Sequence, residues 1–176
     1  ELAVLREPGA NGLFAESAQT LLLADSGTRN IARMDLATKR KTPIASQFEG
    51  KRFNSPNDVV VSSDGAIWFT DPSYGWLQGF RPPPAVGDFV YRYDPATDVV
   101  DVVDDSFDKP NGIAFSPDHR TLYVTDSGIR IRDDGLVEHP GPAPVGLDRD
   151  PARLRGHPTN SRGRRLQHPH RAHSDQ

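Results

Sequence analysis

The chain of 176 residues contains no cysteine, which excludes disulfides, thiolate metal sites and cysteine nucleophiles. Its net charge is -3, hydrophobic residues make up 35 %, and no run reaches the roughly 18 apolar residues of a membrane span. With 15 Gly and 16 Pro, turns and short strands are favoured over long helices.

The first recognisable unit begins at Asn11. An apolar run, Asn11-Gly-Leu-Phe-Ala15, is followed by the polar turn Glu16-Ser-Ala-Gln19 and the more apolar run Thr20-Leu-Leu-Leu-Ala-Asp25. Ile31-Ala-Arg-Met34 then alternates with period two, an Asp35-Leu-Ala-Thr38 turn follows, and Pro43-Ile-Ala-Ser46 closes the unit. The same order returns at Asn57-Asp-Val-Val-Val61, with turn Ser62–Gly65 and Ala66-Ile-Trp-Phe-Thr-Asp71. Its later strands are Phe89-Val-Tyr-Arg-Tyr93 and Val99-Val-Asp-Val-Val103, joined by Asp94-Pro-Ala-Thr97. An insertion from Trp76 to Gly87, rich in aromatics and prolines, has no counterpart in the first unit. A third unit opens with Asn111-Gly-Ile-Ala-Phe115 and continues with Thr121-Leu-Tyr-Val-Thr-Asp126. Its third strand is expected near Ile129–Arg132, after which the pattern decays into Pro and Gly.

Asn-to-Asp spacing within the three units is 14, 14 and 15, and the units start 46 and 54 residues apart. Periods of this size with four short strands per unit point to β-propeller blades. The fold class is therefore all-β, a partial β-propeller of about three four-stranded blades over residues 1–150. Too few blades are present to close a ring, so open edges are expected to favour self-association.

Residues 151–176 differ in kind, with six Arg against the single acid Asp175. That makes the segment about five charges positive and leaves residues 1–150 about eight negative. It has no aromatics and only Leu154 and Leu166 as large aliphatics, so a disordered or out-of-frame tail is expected. A nucleic-acid arm is the alternative for the arginines and a metal tract for the four histidines. Acidity of the remainder makes nucleic acid the weaker reading.

In a propeller the first strand of each blade lines the channel, so Asn11, Asn57 and Asn111 are expected to converge near one mouth. Amide oxygens suit a hard cation; Asn also makes turns and ties strands together without any ligand. Asp25, Asp71 and Asp126, ending the second strands, read as structural turn residues, and His119 as an exposed turn residue. No nucleophile elbow, phosphate loop or His-Glu-x-x-His is present.

Three stretches carry a family resemblance: Glu49-Gly-Lys-Arg-Phe-Asn-Ser-Pro-Asn-Asp-Val-Val-Val61, Asp64-Gly-Ala-Ile-Trp-Phe-Thr-Asp-Pro-Ser-Tyr-Gly75 and Lys109-Pro-Asn-Gly-Ile-Ala-Phe-Ser-Pro-Asp118. They resemble the SMP-30/gluconolactonase/luciferin-regenerating enzyme family, which includes regucalcin, over roughly residues 1–140. The resemblance implies a six-bladed propeller with one divalent cation, Ca²⁺ or alternatively Zn²⁺, Mn²⁺ or Mg²⁺, and hydrolysis of a sugar lactone. By motif, Asn111 and Asn57 correspond to metal ligands, and Asn57, Asp58 and Tyr74 to substrate-binding positions. The family's Glu ligand belongs to a blade of which Leu2–Pro8 resembles the last strand. Its general-base Asp belongs to a Pro-Asp-Gly motif that has no counterpart after the third unit, so the catalytic residue is unassigned. Activity of the chain by itself is therefore expected to be impaired, the alternative being a non-catalytic propeller fragment or interaction module. The expected partner is a small-molecule lactone. No membrane association is expected, and the expected location is cytoplasmic, or periplasmic if a leader has been removed.

Overall fold

A computed structural model of the chain describes residues 9–128 and the backbone of three further short strands, 130–131, 137–138 and 143–146. The expected strand at Leu2–Pro8 and the basic tail lie outside the described residues.

Three antiparallel sheets follow one another along the chain. The first contains β1 (Ala10–Ala15), β2 (Thr20–Asp25), β3 (Asn30–Asp35) and β4 (Lys41–Ala45), in that order. A small hairpin of β5 (Gln47–Phe48) and β6 (Lys51–Arg52) leads to the second sheet. That sheet contains β7 (Val59–Val61), β8 (Ile67–Asp71), β9 (Phe89–Asp94) and β10 (Val99–Asp104). A four-residue helix α1 (Tyr74–Leu77) interrupts it after β8. The third sheet contains β11 (Pro110–Phe115) and β12 (Thr121–Asp126). After β12 the chain makes a side hairpin of β13 (Arg130–Ile131) and β14 (Val137–Glu138) before returning as β15 (Ala143–Gly146) on β12. The third strand of this sheet is thus β15; of the segment near 129–132 expected from the sequence, residues 130–131 pair in the side hairpin instead. The architecture is a partial β-propeller.

Local chemistry repeats with the sheets. The β3–β4 turn is held by the Asp35 carboxylate, which accepts the Thr38 N–H at 2.7 Å, and by Lys39 N–H donating to the Asp35 carbonyl at 2.8 Å. Asp94 and Asp98 repeat the backbone bond at 2.9 Å between β9 and β10. Lys39 and Asp98 take the left-handed conformation at φ 59° and 56°. Asx-type hydrogen bonds make that conformation tolerable in tight turns.

Period-two alternation places one apolar set on each face of β8. Ile67 and Phe69 pack with Leu22, Ala24 and Ile31 of the first sheet, while Trp68 packs with Ile113, Leu122 and Val124 of the third. All five β8 residues are buried, as the central strand of a sheet covered on both sides must be. Phe53, from the linker between sheets, is fully buried and meets Phe69 edge-on at 5.0 Å and Tyr91 at 5.3 Å. The innermost strands stand side by side, β1 against β7 and β11 against β7 and β8.

Candidate functional site

At one end of the inner strands the three repeated asparagines meet. The register of β1 shifts between Ala10 and Leu13, and that of β11 between Pro110 and Ile113, so each Asn-Gly pair sits in an irregularity. Bulges of this kind turn a side chain out of the sheet's ordinary alternation. In the second sheet Asn57 lies two residues before β7, anchored by its N–H to the Thr70 carbonyl at 2.9 Å.

The amides form a row. Asn11 Nδ2 donates to Asn57 Oδ1, and Asn57 Nδ2 donates to Asn111 Oδ1 at 2.5 Å. Asn111 Nδ2 continues to the Tyr74 hydroxyl at 3.1 Å and to Ser127 Oγ at 3.0 Å. Asn11 is exposed, Asn57 is buried and Asn111 is half-buried, so the row is most buried at its centre. Tyr74 reaches the row because α1 follows β8 directly. A four-residue Tyr-Gly-Trp-Leu helix has too little length for a periodic signal, so the sequence showed only an insertion starting near Trp76.

Asp58 is aimed differently from its neighbour. Its Oδ1 accepts the Val59 N–H at 2.9 Å and its Oδ2 accepts the Ile113 N–H of the next sheet at 3.0 Å. A Cβ on Gly12 would lie 2.5 Å from Asp58 Cα and Oδ1, and one on Gly112 would lie 3.9 Å from Oδ2. Asn11-Gly12 and Asn57-Asp58 on adjacent blades therefore fit together sterically: Asp58 occupies the space that Gly12 leaves. Thr70 adds a second cross-sheet tie, donating its hydroxyl to the Asn111 carbonyl at 2.6 Å.

Two of the aspartates that end the second strands hold turns, Asp25 through the Thr28 N–H and Asp126 through the Gly128 N–H, and Asp71 and Asp126 also reach loops far upstream. Asp71, with no exposed surface, accepts the Asn54 N–H and the Ser55 N–H, both at 2.7 Å. Burial pushes its pKa up to about 7 against the opposing pull of those two donors. Asp126 accepts the N–H groups of Asp108 at 3.0 Å and Lys109 at 2.8 Å. Asp25 instead pairs with Lys41 Nζ at 2.9 Å and the Thr28 N–H at 3.1 Å. Burial works against ionisation of Asp25, but the Lys41 and Thr28 hydrogen bonds outweigh it and hold its pKa below the usual range. Lys109 also bridges to Asp88 at 3.0 Å, while the other oxygen of Asp88 accepts the Ser73 N–H beside α1. His119 lies outside this site, half-buried and stacked on Phe115 at 5.3 Å.

Asn57 and Asn111 carry neutral oxygen donors, which hard cations accept. In the row the Asn57 and Asn111 oxygens each receive an N–H from the preceding asparagine, and rotating an amide about Cβ–Cγ exchanges its oxygen and nitrogen. Among the described residues no three Asp, Glu or His side chains gather as a metal cluster. The pair fits as the neutral part of a cation's ligand set, with the Asp58 carboxylate already engaged by backbone. A larger cleft of about 410 Å³ lies elsewhere, at the junction of β4, the β5–β6 hairpin and the β9–β10 pair. Pro43, Glu49, Tyr93 and Asp98 are among its lining residues, and none of the asparagines is.

Residues 2–131 match the family described as the SMP-30/Gluconolactonase/LRE-like region. A gluconolactonase of Zymomonas mobilis is 39 % identical over 124 residues, covering 69 % of this chain and 35 % of its own length. A lactonohydrolase of Aspergillus oryzae is 38 % identical over 96 residues, covering 54 % of the chain and 22 % of its own. Among solved structures, a gluconolactonase of Xanthomonas campestris superposes with a TM-score of 0.63 at 36 % identity, covering 75 % of this chain and 48 % of that one. The chain thus spans half or less of the length of the relatives it matches.

Proposed function

The chain belongs to the SMP-30/gluconolactonase/LRE-like family, and from that premise we propose that it contributes half of a divalent-cation site for hydrolysis of a sugar lactone such as gluconolactone. The observation that carries this reading is the row of amides at Asn11, Asn57 and Asn111, joined to Tyr74 at one end. Lactone-hydrolysing relatives at 38 to 39 % identity support the substrate class.

Asn57 and Asn111 would hold the cation through their Oδ1 atoms, with Ca²⁺ first and Zn²⁺, Mn²⁺ or Mg²⁺ as alternatives. A bound divalent cation supplies Lewis acidity at the lactone carbonyl. Asn57 and Tyr74 bind and orient the sugar: the Tyr74 hydroxyl donates to a substrate oxygen while it accepts from Asn111. Asp58 supports the same row from behind, its Oδ2 fixing the β7–β11 contact through the Ile113 N–H while its Oδ1 holds the Val59 N–H of its own strand. Neutral ligands make the site weak, because cation affinity rises with ligand charge. This chain alone therefore turns over more slowly than the roughly 1–10³ s⁻¹ usual for enzymes.

Release of acid from gluconolactone, followed in a pH-stat with Ca²⁺ or Mn²⁺ and with a chelator, tests the reading. Slow hydrolysis above the spontaneous rate is expected, dependent on added cation and abolished in Asn111→Ala. Hydrolysis that ignores the chelator would contradict the cation assignment. Turnover within the ordinary enzyme range would contradict the weak site, and no rate above background would contradict the lactonase reading.

A further inference from the structure

Two aspartates outside the asparagine row repeat one geometry. Asp71 accepts the N–H groups of Asn54 and Ser55, three and two residues before Asn57. Asp126 accepts those of Asp108 and Lys109, three and two residues before Asn111. Two donors at 2.7 to 3.0 Å thus tie each loop to the end of the second strand just before the chain reaches its asparagine. The first blade lacks this arrangement. The residue three before Asn11 is Pro8, which has no N–H to give, and Asp25 turns to Lys41 and Thr28.

We propose that Asp71 and Asp126 are positioning residues that aim Asn57 and Asn111 at the channel, each by holding the two peptide N–H groups that precede its asparagine. This rests on the cation reading above for its consequence, though not for its geometry. A loop-tying role served equally well by any cap would not explain a carboxyl group with no exposed surface at position 71, nor the same two offsets in both blades. A carboxyl group offers two oxygens side by side, so it can take N–H donors from two consecutive peptides at once. These donors are backbone N–H groups, so the effect passes through backbone placement. Adjacent ties reinforce it: Asn54 Nδ2 donates to the Gly87 carbonyl at 3.0 Å, and Ser55 Oγ accepts the Gly75 N–H at 2.9 Å.

Asp71→Asn and Asp126→Asn keep the shape of the side chain but set an amide nitrogen against a peptide N–H. The turn variant Asp94→Asn, whose carboxylate accepts the Ala96 N–H at 2.9 Å and lies 3.5 Å from the Arg92 guanidinium, serves as control. Two readouts are taken on folded protein: the side-chain amide resonances of the asparagines, and Mn²⁺ affinity. Asp71→Asn is expected to move the Asn57 resonances and speed exchange at Asn54 and Ser55, and Asp126→Asn to do the same at Asn111, Asp108 and Lys109. Mn²⁺ affinity is expected to fall about 10- to 100-fold, the loss usual when groups that orient metal ligands are removed. The control changes neither. A folded Asp71→Asn or Asp126→Asn with unmoved asparagine resonances would overturn the proposal, even if its melting temperature fell. If the parent chain takes up no Mn²⁺ yet the resonances move as described, the cation reading fails and the positioning role stands. The two variants lie in different blades, so a folding failure in one leaves the other decisive.

Discussion

Asp71 sits where its charge is least welcome, and its titration has a definite sign. Its pKa is raised from 3.8 to about 7 by burial. Between about 4 and 7 the folded chain keeps a proton that the unfolded chain has released, so folding binds protons and this residue's contribution to stability falls as pH rises through the window. Below and above the window its contribution is flat. Asp25 behaves in the opposite sense: its depressed pKa adds stability that is lost as pH falls through the acid range. We therefore predict that the Asp71 carboxyl carbon titrates with a midpoint near 7. In urea unfolding, the stability difference between the parent chain and Asp71→Asn should change across pH 4 to 7 and level off on either side. A midpoint near the ordinary carboxylate value would contradict the account. Sequence made the repeated aspartates visible but not their task. Their partners are peptide N–H groups 16 to 18 residues upstream, and a backbone donor leaves no mark in a side-chain pattern. Asn11-Gly12 is open to a turn reading for the same reason: the need for glycine there comes from Asp58 on the neighbouring blade.

The strands themselves were more legible. Apolar β8 and the alternating β9 lie where period and turn chemistry placed them, because a strand covered by sheets on both faces has no polar surface to disguise it. Short elements escaped: α1 has four residues, and β14 and β15 have two and four, while β13, expected as a blade strand, pairs in a side hairpin instead. Packing between the first two blades has one flaw that offers a test. Tyr91 is fully buried among Phe48, Phe53, Phe69 and Phe89, and its hydroxyl has no hydrogen-bond partner. Burial drives its pKa upward accordingly. A buried polar group without a partner costs about 1–3 kcal/mol. Tyr91→Phe removes that group and keeps the ring, so it should stabilise the chain by about 1 kcal/mol in chemical denaturation. Phe53→Ala, which empties the centre of the same cluster, should cost about 3–5 kcal/mol. A destabilised Tyr91→Phe would show that the hydroxyl has a bonding role.

At the scale of the molecule, three sheets place three asparagines in a row because their first strands share one position and one direction around a common channel. The outward faces of the two end sheets carry Leu13 and Tyr123, 60 % and 46 % exposed, whereas the faces between sheets are closed. The asparagine row was legible from the repeat spacing; its link to Tyr74 was legible only through the family resemblance, since an insertion sets it. What the row does is best tested on the row itself. Ca²⁺ titrated into isotopically labelled chain, with the side-chain amides followed individually, should move Asn57 and Asn111 together along one saturable curve. That response should be absent at Asn57 in Asn111→Ala. Unmoved Asn57 and Asn111 amides at saturating Ca²⁺, or shifts confined to exposed aspartate turns such as Asp35 and Asp94, would contradict the assignment of this row as a cation site.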